Sequence, residues 1–263
     1  MKFSVVVPTI LGRSEFLLRA LASVQGQHVA PLEVVVVNNG SEDIKSLLRN
    51  HYLRPRVIDT IFRAGPAQAR NIGATFCSGE VLSFLDDDDF WDPSYLEGIQ
   101  TTWEENPNPT FIVGRLDQFV GDIESQFKSF GPLSALPKER QIRGLLRRNP
   151  GVTGSTISIS RHVFLAMGGF QVKLPTSQDK ALAIDHLVGG GEVLYSPQSI
   201  AFIDNSIRGD RAASNRAVAI GSWRILMRYR KITEISTALF LIAKSLFYFL
   251  GRPEMSRLGI RRK

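Results

Sequence analysis

The amino-acid sequence predicts an α/β protein built on a mostly parallel sheet. Four short apolar segments of strand length begin near positions 3, 33, 57 and 80, and a segment with helical periodicity separates each from the next. Such a repeat is typical of βαβ units with right-handed crossovers. The continuous apolar run Val34–Val37 is also typical of a parallel strand that is buried on both faces.

In the first half of the chain, each of these strands ends in polar or turn residues. The predicted strands cover 3–7, 33–37, 57–62 and 81–85, and the predicted helices cover 14–25 and 66–77. Ser41 is placed to cap the helix after the second strand, and Pro66 suits the first turn of its helix. The strand ends at Pro8-Thr9, Asn38-Asn39 and Arg63 therefore collect, with the end of the fourth strand, at one sheet edge.

The second half of the chain is less regular. Strands are predicted over 111–113, 123–130, 155–160, 193–195 and 200–203, and a helix over 177–188 that ends at Gly189-Gly190-Gly191. The basic segment Lys138–Arg148 is either the solvated face of a helix or a loop over a phosphate.

Four consecutive aspartates, Asp86–Asp89, directly follow the fourth strand. Adjacent carboxylates repel one another, so a folded protein needs a counter-charge or full solvation for them. A divalent cation that bridges to a diphosphate is such a counter-charge, since hard cations prefer oxygen ligands. The alternative is an acidic turn that caps the helix starting near Pro93. The length of the run and its position after a strand favour the ligand site.

Composition and the N-terminal segment indicate a cytoplasmic globular protein. The 263 residues are 43% hydrophobic and 22% charged, which suits one large α/β domain with an appendage. Cys77 is the single cysteine, so a disulfide within the chain is excluded, as expected in a reducing compartment. The apolar start is short and interrupted by Pro8, which indicates a first strand and not a signal peptide. Dinucleotide-fingerprint and P-loop enzymes are disfavoured because neither glycine motif occurs.

The positive charge is concentrated at the C-terminus. The net charge is +7, and residues 205–263 hold 13 Lys/Arg against 3 Asp/Glu. Such a basic tail suits nucleic acid, anionic lipid or a phosphate-bearing substrate, although the aromatic-basic interleaving of nucleic-acid modules is absent. The apolar segment 232–250, flanked by basic residues within 224–263, predicts an interfacial helix on an anionic membrane. Packing on the domain or in an oligomer, or a marginal membrane span, are the alternatives.

Several segments in order resemble the family 2 glycosyltransferases of the GT-A fold. They are Ser4–Thr9, Leu32–Ser41, Gly65–Gly73 and Gly79–Trp91, followed by Ala166–Phe170, Gln178-Asp179 and Gly191–Ser196. The resemblance covers residues 3–205 and implies a Rossmann-like, mostly parallel sheet. It implies a nucleotide-binding half at 1–100 and an acceptor-side half at 101–205. The charge and apolar pattern of the remaining residues predict a basic, amphipathic helical tail at 206–263.

The resemblance also implies roles for individual residues. The implied nucleotide-binding residues are Pro8, Thr9, Asn38, Asn39, Arg70, Asp86 and Asp87. It makes Asp88 the ligand of a divalent cation, Mn²⁺ or Mg²⁺, and Asp179 the catalytic base. Three positions depart from the family pattern: Asn38-Asn39 replaces one or two aspartates, Gln178 replaces a glutamate, and a histidine expected near Asn205 is absent. The first departure leaves the nucleobase open.

The implied activity is inverting transfer of a sugar from a nucleotide-diphospho-sugar to a hydroxyl of a glycan or lipid-linked acceptor. Such an enzyme would serve cell-surface polysaccharide biosynthesis as a peripheral protein on the cytoplasmic face of the membrane. The chemistry agrees, because a hydroxyl nucleophile needs a base and a departing diphosphate needs a cation. The alternatives are transfer to a polyprenyl phosphate, a non-catalytic sugar-nucleotide sensor and a nucleic-acid-binding module.

Overall fold

A computed structural model describes residues 1–60, 64–120, 123–204 and 214–250. Its strands are β1 (Phe3–Thr9), β2 (Glu33–Asn38), β3 (Arg56–Asp59), β4 (Val81–Phe84), β5 (Asp89–Trp91), β6 (Phe111–Val120), β7 (Ile123–Lys128), β8 (Ile157–Ser160) and β9 (Leu194–Asp204). Its helices are α1 (Ser14–Gln25), α2 (Ile44–Leu48), α3 (Pro66–Thr75), α4 (Tyr95–Glu104), α5 (Gly131–Ser134), α6 (Lys138–Arg147), α7 (Arg161–Ala166), α8 (Gln178–Val188), α9 (Asn215–Tyr229) and α10 (Ile235–Phe249).

The strands form one mixed sheet in the order β3-β2-β1-β4-β8-β6-β9-β5, with β7 paired to β6. The first four strands are parallel to one another, as the βαβ repeat predicts. From β8 onward most pairs are antiparallel, and β6 with β9 is the parallel exception among the described strands. The predicted α/β class is confirmed, and its parallel character is concentrated in the first half of the chain.

Helices cover both faces of the sheet. One face packs against α1 and α4 through Leu17, Leu21, Leu96 and Ile99. The other face packs against α3, α8 and the two C-terminal helices. Cys77 lies in this second core, where its Sγ atom is 3.3 Å from the Gly73 carbonyl oxygen. β1, β2 and β4 are buried and mostly apolar, as expected for parallel strands covered on both faces, whereas β3 at the sheet edge is partly exposed.

The strand order reverses at β1. The chain runs from β1 to β2 and β3 on one side, then returns to place β4 on the other side of β1. Helices on opposite faces then diverge above the carboxyl ends of β1 and β4, which leaves a crevice where ligands bind in open α/β sheets. Thr9 ends β1, and the aspartate run follows β4. The sheet therefore brings the two predicted segments together.

Some element boundaries differ from those predicted. Asp43, and not Ser41, caps α2, because its carboxylate accepts from the Ser46 backbone N–H at 3.0 Å. The predicted strand 155–160 starts as a 3₁₀ turn, Gly154–Thr156, before β8 begins. The predicted strands 193–195 and 200–203 are one strand, β9, which shifts register against β6. β3 is described only to Asp59, and residues 61–63, including Arg63, lie outside the described part of the chain.

The tail forms two helices that pack on the domain. Ile225, Leu226 and Tyr229 of α9 and Leu241 of α10 are buried in the second core. The Tyr229 hydroxyl lies 2.8 Å from the Asp185 carboxylate, which anchors α9 to α8. Within the described ranges, neither helix has the length and apolar character needed to cross a bilayer.

The remaining predictions about the C-terminal region are not tested by the described part of the structure. The basic residues predicted at 252–263 and the position of Asn205 fall outside the described residues. The domain boundary at residue 205 stays a prediction.

Candidate active site

A cavity of about 660 Å³ opens above the carboxyl ends of β1 and β4. The predicted residues that line it are Pro8, Thr9, Asn39, Arg70, Asp86, Asp87, Asp88 and Asp179. Residues from the second half of the chain close its far side, among them Leu116, Lys128, Thr153 and Gln178. One cavity thus receives the strand-end residues together with the predicted base.

The aspartate run divides into two groups. β4 ends at Phe84, a turn covers residues 87 and 88, and β5 begins at Asp89. Asp86, Asp88 and Asp89 each offer a carboxylate oxygen, and these three oxygens lie within 4.8 Å of one another. Asp87 instead accepts a 2.8 Å hydrogen bond from the Thr9 hydroxyl. The run therefore presents a cluster of three carboxylates and ties the fourth to the end of β1.

Arg70 is the buried cation of the site. It lies near the start of α3 and forms ion pairs with Asp86 and with Asp179, the second over 3.6 Å. Its guanidinium carbon is 5.3 Å from the centre of the Phe170 ring. Burial alone would lower the pKa of Arg70, but the facing carboxylates outweigh it and raise the pKa. The arginine therefore remains charged and links the aspartate run to the predicted base.

The backbone at Gly154 lies in close contact with the Arg70 guanidinium. A Cβ at Gly154 would collide with the Arg70 guanidinium. Gly154 belongs to the 3₁₀ turn before β8, so the third segment of the site comes within atomic contact of α3. Glycine is needed here for close approach and not for its backbone conformation.

Asp179 lies in the first turn of α8, after Ser177, whose φ of 66° places it in the left-handed region. Such a conformation is uncommon outside glycine and asparagine. Among the described residues, no hydrogen-bond donor reaches the buried Oδ1 atom of Asp179. Burial raises the pKa of Asp179 to about 6, although the charge of Arg70 opposes the shift. A carboxylate that lines the cavity and has a pKa near neutrality suits a general base.

Arg13 is a site residue that the sequence reasoning missed. It precedes α1, and its Nη1 atom lies 2.9 Å from Asp87 and 2.7 Å from Asp88. Burial raises the pKa of Asp87 to about 6; the Asp88 charge adds to the shift, and Arg13 and Thr9 oppose it. Four adjacent carboxylates require counter-charges, so a search for a cation near the end of β1 would have singled out Arg13.

Ser155 is a second residue of the site that was not predicted. Asn38 was predicted to bind the nucleotide, but the structure places it outside the cavity. The Ser155 hydroxyl donates to the Asp89 carboxylate, and it accepts from the Asp86 backbone N–H at 3.1 Å. The Asn38 amide is engaged within its own loop region, donating to the Glu42 carbonyl and to the Asp59 carboxylate. Asn38 does not line the cavity, whereas Asn39 does.

The three-carboxylate cluster fits a divalent cation. Its donors are all oxygens, the ligands that Mg²⁺ and Mn²⁺ prefer in proteins. Asp86, Asp88 and Asp89 would hold the ion, which would supply positive charge to the oxygens of a departing diphosphate. The protein's own cations, Arg13 and Arg70, each pair with one member of this cluster.

The family model described as glycosyl transferase family 2 matches residues 4–168, more than half of the chain. The chain belongs to glycosyl transferase family 2. The matched region of this family 2 chain contains β1, the aspartate run and Arg70, and it ends before Asp179.

Two curated relatives are similar to this family 2 chain over part of their length. A glucosyl-dolichyl phosphate glucuronosyltransferase of Haloferax volcanii is 28% identical over 190 residues, which are 68% of this chain and 59% of the relative. A GalNAc(5)-diNAcBac-PP-undecaprenol beta-1,3-glucosyltransferase of Campylobacter jejuni is 31% identical over 143 residues, 49% of this chain and 43% of the relative. The chain therefore spans about half the length of these relatives.

Solved structures share the fold. The TarS 1-349 structure from S. aureus in complex with UDP-GlcNAc has a TM-score of 0.68 at 16% identity, covering 99% of this chain and 76% of TarS 1-349. The mannosyltransferase PcManGT of Pyrobaculum calidifontis, in complex with GDP-Man and Mn²⁺, has a TM-score of 0.63 at 17% identity, covering 96% of this chain and 71% of PcManGT. The GT-A-type fold predicted for this family 2 chain is confirmed.

Proposed function

We propose that the protein is an inverting glycosyltransferase that moves a sugar from a nucleotide-diphospho-sugar to an acceptor hydroxyl. The observation that carries this proposal is the placement of Asp179. Its carboxylate shares the Arg70 guanidinium with Asp86, so the base and the carboxylate cluster face one cavity. The acceptor hydroxyl and the leaving diphosphate need these two groups at the same sugar carbon.

The donor would lie at the end of β1. Pro8, Thr9 and Asn39 line the cavity on the side where the family places the nucleotide. Asp86, Asp88 and Asp89 would hold Mn²⁺ or Mg²⁺ beside the diphosphate. Neighbours of the same fold carry UDP-GlcNAc in one case and GDP-Man with Mn²⁺ in the other. These complexes support the donor class and leave uracil and guanine as candidate bases.

The proposed reaction uses the chain's own groups as follows. The Asp179 carboxylate, which lines the cavity, accepts the proton of the acceptor hydroxyl while that oxygen attacks the anomeric carbon. Attack from the face opposite the diphosphate inverts the configuration at that carbon in a single displacement. Arg70 remains charged throughout, because the two facing carboxylates stabilise the guanidinium cation more than burial destabilises it. Its charge keeps Asp179 ionised more often than burial alone would allow.

The proposed acceptor is a glycan or a lipid-linked saccharide in cell-surface polysaccharide biosynthesis. The names of the two curated relatives contain a dolichyl phosphate and an undecaprenol diphosphate, which supports a lipid-linked acceptor. The proposed location is the cytoplasmic face of the membrane, where such an acceptor is reached by a peripheral protein. Residues 1–100 would then bind the donor and residues 101–205 the acceptor.

A thermal-shift series tests the donor proposal. UDP, GDP, dTDP and CDP are each added with and without Mn²⁺, because a ligand that binds the native state raises its melting temperature. We expect a shift with one nucleotide that requires Mn²⁺, and no metal-dependent shift in Asp88→Ala. If no nucleotide shifts the wild-type protein, the aspartate run is a structural turn and the proposal fails.

Replacement of the proposed base distinguishes transfer to a hydroxyl from the alternative, transfer to a polyprenyl phosphate. A phosphate acceptor is already ionised and needs no proton acceptor, so Asp179→Asn would retain transfer to a polyprenyl phosphate. Under the proposed reaction, Asp179→Asn loses transfer to a hydroxyl while it retains the Mn²⁺-dependent thermal shift. A non-catalytic sensor would show the thermal shift without release of nucleoside diphosphate from any sugar nucleotide.

A further inference from the structure

The outer face of α10 is apolar and exposed. Six apolar residues, five of α10 and the one directly after it, expose 38% to 80% of their surface: Ile235, Leu239, Phe240, Leu246, Phe247 and Leu250. On the opposite side of the helix, Thr237 and Leu241 are buried against the domain. A contiguous apolar surface of this kind marks an interaction site in a folded protein. We call these six residues the α10 face.

Basic residues border the α10 face along α6 and in the turn that precedes α10. On one side α6 packs against α10, and the Arg147 guanidinium carbon lies 5.5 Å from the centre of the Phe240 ring. Arg143 of the same helix pairs with Glu234 at 2.9 Å, directly before α10. Arg230 and Lys231, in the turn between α9 and α10, are exposed. The segment 138–148 and the apolar segment 232–250 therefore form one surface.

We infer that the α10 face docks on an anionic lipid bilayer. A helix with one apolar face and basic residues around it lies in the interface, with its apolar side chains among the acyl chains. Lysine and arginine beside such a face are attracted to anionic headgroups, and each such residue near the surface strengthens binding. The α10 face and its basic border supply both contributions.

Charge argues against a second copy of the chain as the occupant. A two-fold contact places the same patch of both subunits together. Such a contact through the α10 face would enclose the basic residues Arg147, Arg230 and Lys231 of both subunits in one interface. Like charges repel, whereas an anionic bilayer neutralises them.

Docking at this face would bring the bilayer close to the acceptor side of the site. α6, which borders the α10 face, is bound to α8 through the Lys180 ammonium, whose Nζ atom lies 2.9 Å from the Leu145 carbonyl oxygen. Lys180 directly follows Asp179. Lipid binding is measured without turnover, so docking itself does not depend on the proposed function. Only the orientation of the bilayer towards the acceptor side rests on it.

Vesicle flotation of the full chain tests the inference. We expect the protein to float with mixed phosphatidylglycerol–phosphatidylcholine vesicles, to bind phosphatidylcholine alone far more weakly, and to be released by salt. The double variant Leu239→Ser/Leu246→Ser should lose at least about tenfold in partitioning, because it removes two large apolar side chains from the lipid contact. Arg147→Glu should lose about tenfold through the reversal of one border charge.

Tyr52→Ser is the matched control. Tyr52 is 80% exposed in the connection between α2 and β3, so this variant removes an equally exposed large side chain elsewhere. It should float like the wild-type protein. Unchanged melting temperatures would show that the α10 variants fold.

Three results would overturn the inference. They are flotation that does not depend on phosphatidylglycerol, flotation unchanged by the α10 variants, and a dimer in light scattering that Leu239→Ser dissociates while vesicles bind no protein. The thermal shift with nucleotide and Mn²⁺ is measured on the wild-type protein and on the same variants. A wild-type protein that shows the shift but does not float would leave the proposed function standing and remove the docking inference alone.

Discussion

The two walls of the cavity hold their carboxylates by different means. On one wall Arg70 is 4% exposed in its side chain and contacts Asp86, Asp179 and the Phe170 ring. On the other wall Arg13 is 22% exposed in its side chain, and it contacts Asp87 and Asp88. Both arginines pair with two carboxylates, but only Arg70 is enclosed on every side by the domain.

The difference indicates which part of the site stays fixed. Arg70 is held by α3, by the turn at Gly154 and by α8, so the spacing between Asp86 and Asp179 is determined by packing. Arg13 lies in the loop before α1 and shares Asp88 with the carboxylate cluster. A cation at that cluster would compete with Arg13 for Asp88. We therefore expect a rigid wall at Arg70 and an exchangeable ion pair at Arg13.

Replacement of Arg70 should have the largest effect. Arg70→Ala leaves Asp86 and Asp179 without their buried partner, and removal of one member of a buried ion pair costs about 3–5 kcal/mol. The free energy of unfolding in urea should fall by that amount, and turnover should be lost. Arg49→Ala, on the exposed end of α2, is the control and should change neither quantity. A stability loss below about 1 kcal/mol, within the range of surface changes, would contradict the rigid-wall interpretation.

Asp179→Asn should reduce turnover by about 10²–10⁴-fold, the usual contribution of a positioned base. The asparagine has the same shape, and Arg70 keeps its pairing with Asp86, so the fold should persist. Release of nucleoside diphosphate measures the loss, and circular dichroism verifies the fold. Asp185→Asn, in the same helix but facing α9, is a matched carboxylate control. Equal losses in both variants would remove the base assignment.

Gly154→Ala should move Arg70 without removing its charge. The added methyl group collides with the guanidinium, and overpacking of this kind costs about 1–3 kcal/mol. Turnover should fall while the Mn²⁺ affinity changes less, because Asp88 pairs with Arg13 and not with Arg70. Gly26→Ala is the control, since a Cβ there meets no atom closer than 3.6 Å. Unchanged turnover in Gly154→Ala would show that Arg70 is not held in place at this turn.

The pH dependence should follow the buried carboxylates. Burial raises the pKa of Asp179 to about 6, and only the ionised form accepts a proton. Turnover should therefore be constant above pH about 6 and should fall about tenfold for each unit below it. Asp87, whose pKa burial also raises to about 6, would steepen the fall. A rate that stays constant well below pH 6 would exclude Asp179 as the base.

Arg13→Ala should have the smallest effect. Without the competing guanidinium, the carboxylate cluster should bind Mn²⁺ about three- to tenfold more tightly, because a like charge nearby opposes the cation. Electron paramagnetic resonance of free Mn²⁺ measures this affinity without turnover. Arg49→Ala, on the exposed end of α2, is the control and should bind Mn²⁺ like the wild-type protein. Weaker Mn²⁺ binding in Arg13→Ala would contradict the exchangeable pair.

The parallel half was predictable because its signals are local. The run Val34–Val37 is apolar because helices cover both faces of the sheet, and Pro66 is suited to the first turn of α3. In the second half of the chain, pairing depends on distant segments. Asp89 belongs to β5 because it pairs with Ile203 of β9, and no local pattern predicts a partner so far along the chain.

The same distinction applies to the site. The aspartate run and Asp179 were identified as site residues from short motifs together with the family resemblance. Their ion pairs with Arg13 and Arg70 were not predicted, because each joins segments that are far apart in the chain. Likewise, the sequence separated the basic segment around Arg147 from the apolar tail, which the tertiary structure brings together at Phe240.

The burial of Cys77 makes the chain suited to site-directed labelling. Its Sγ atom is enclosed beneath α3, and burial raises the pKa of the thiol to about 12. At neutral pH such a thiol is hardly ionised, so it reacts slowly with maleimides and methanethiosulfonates. A cysteine introduced at exposed Leu239 would therefore take a fluorophore or spin label selectively, without prior removal of Cys77. Quenching of that label by lipid-soluble reagents would report the depth of α10 in the bilayer.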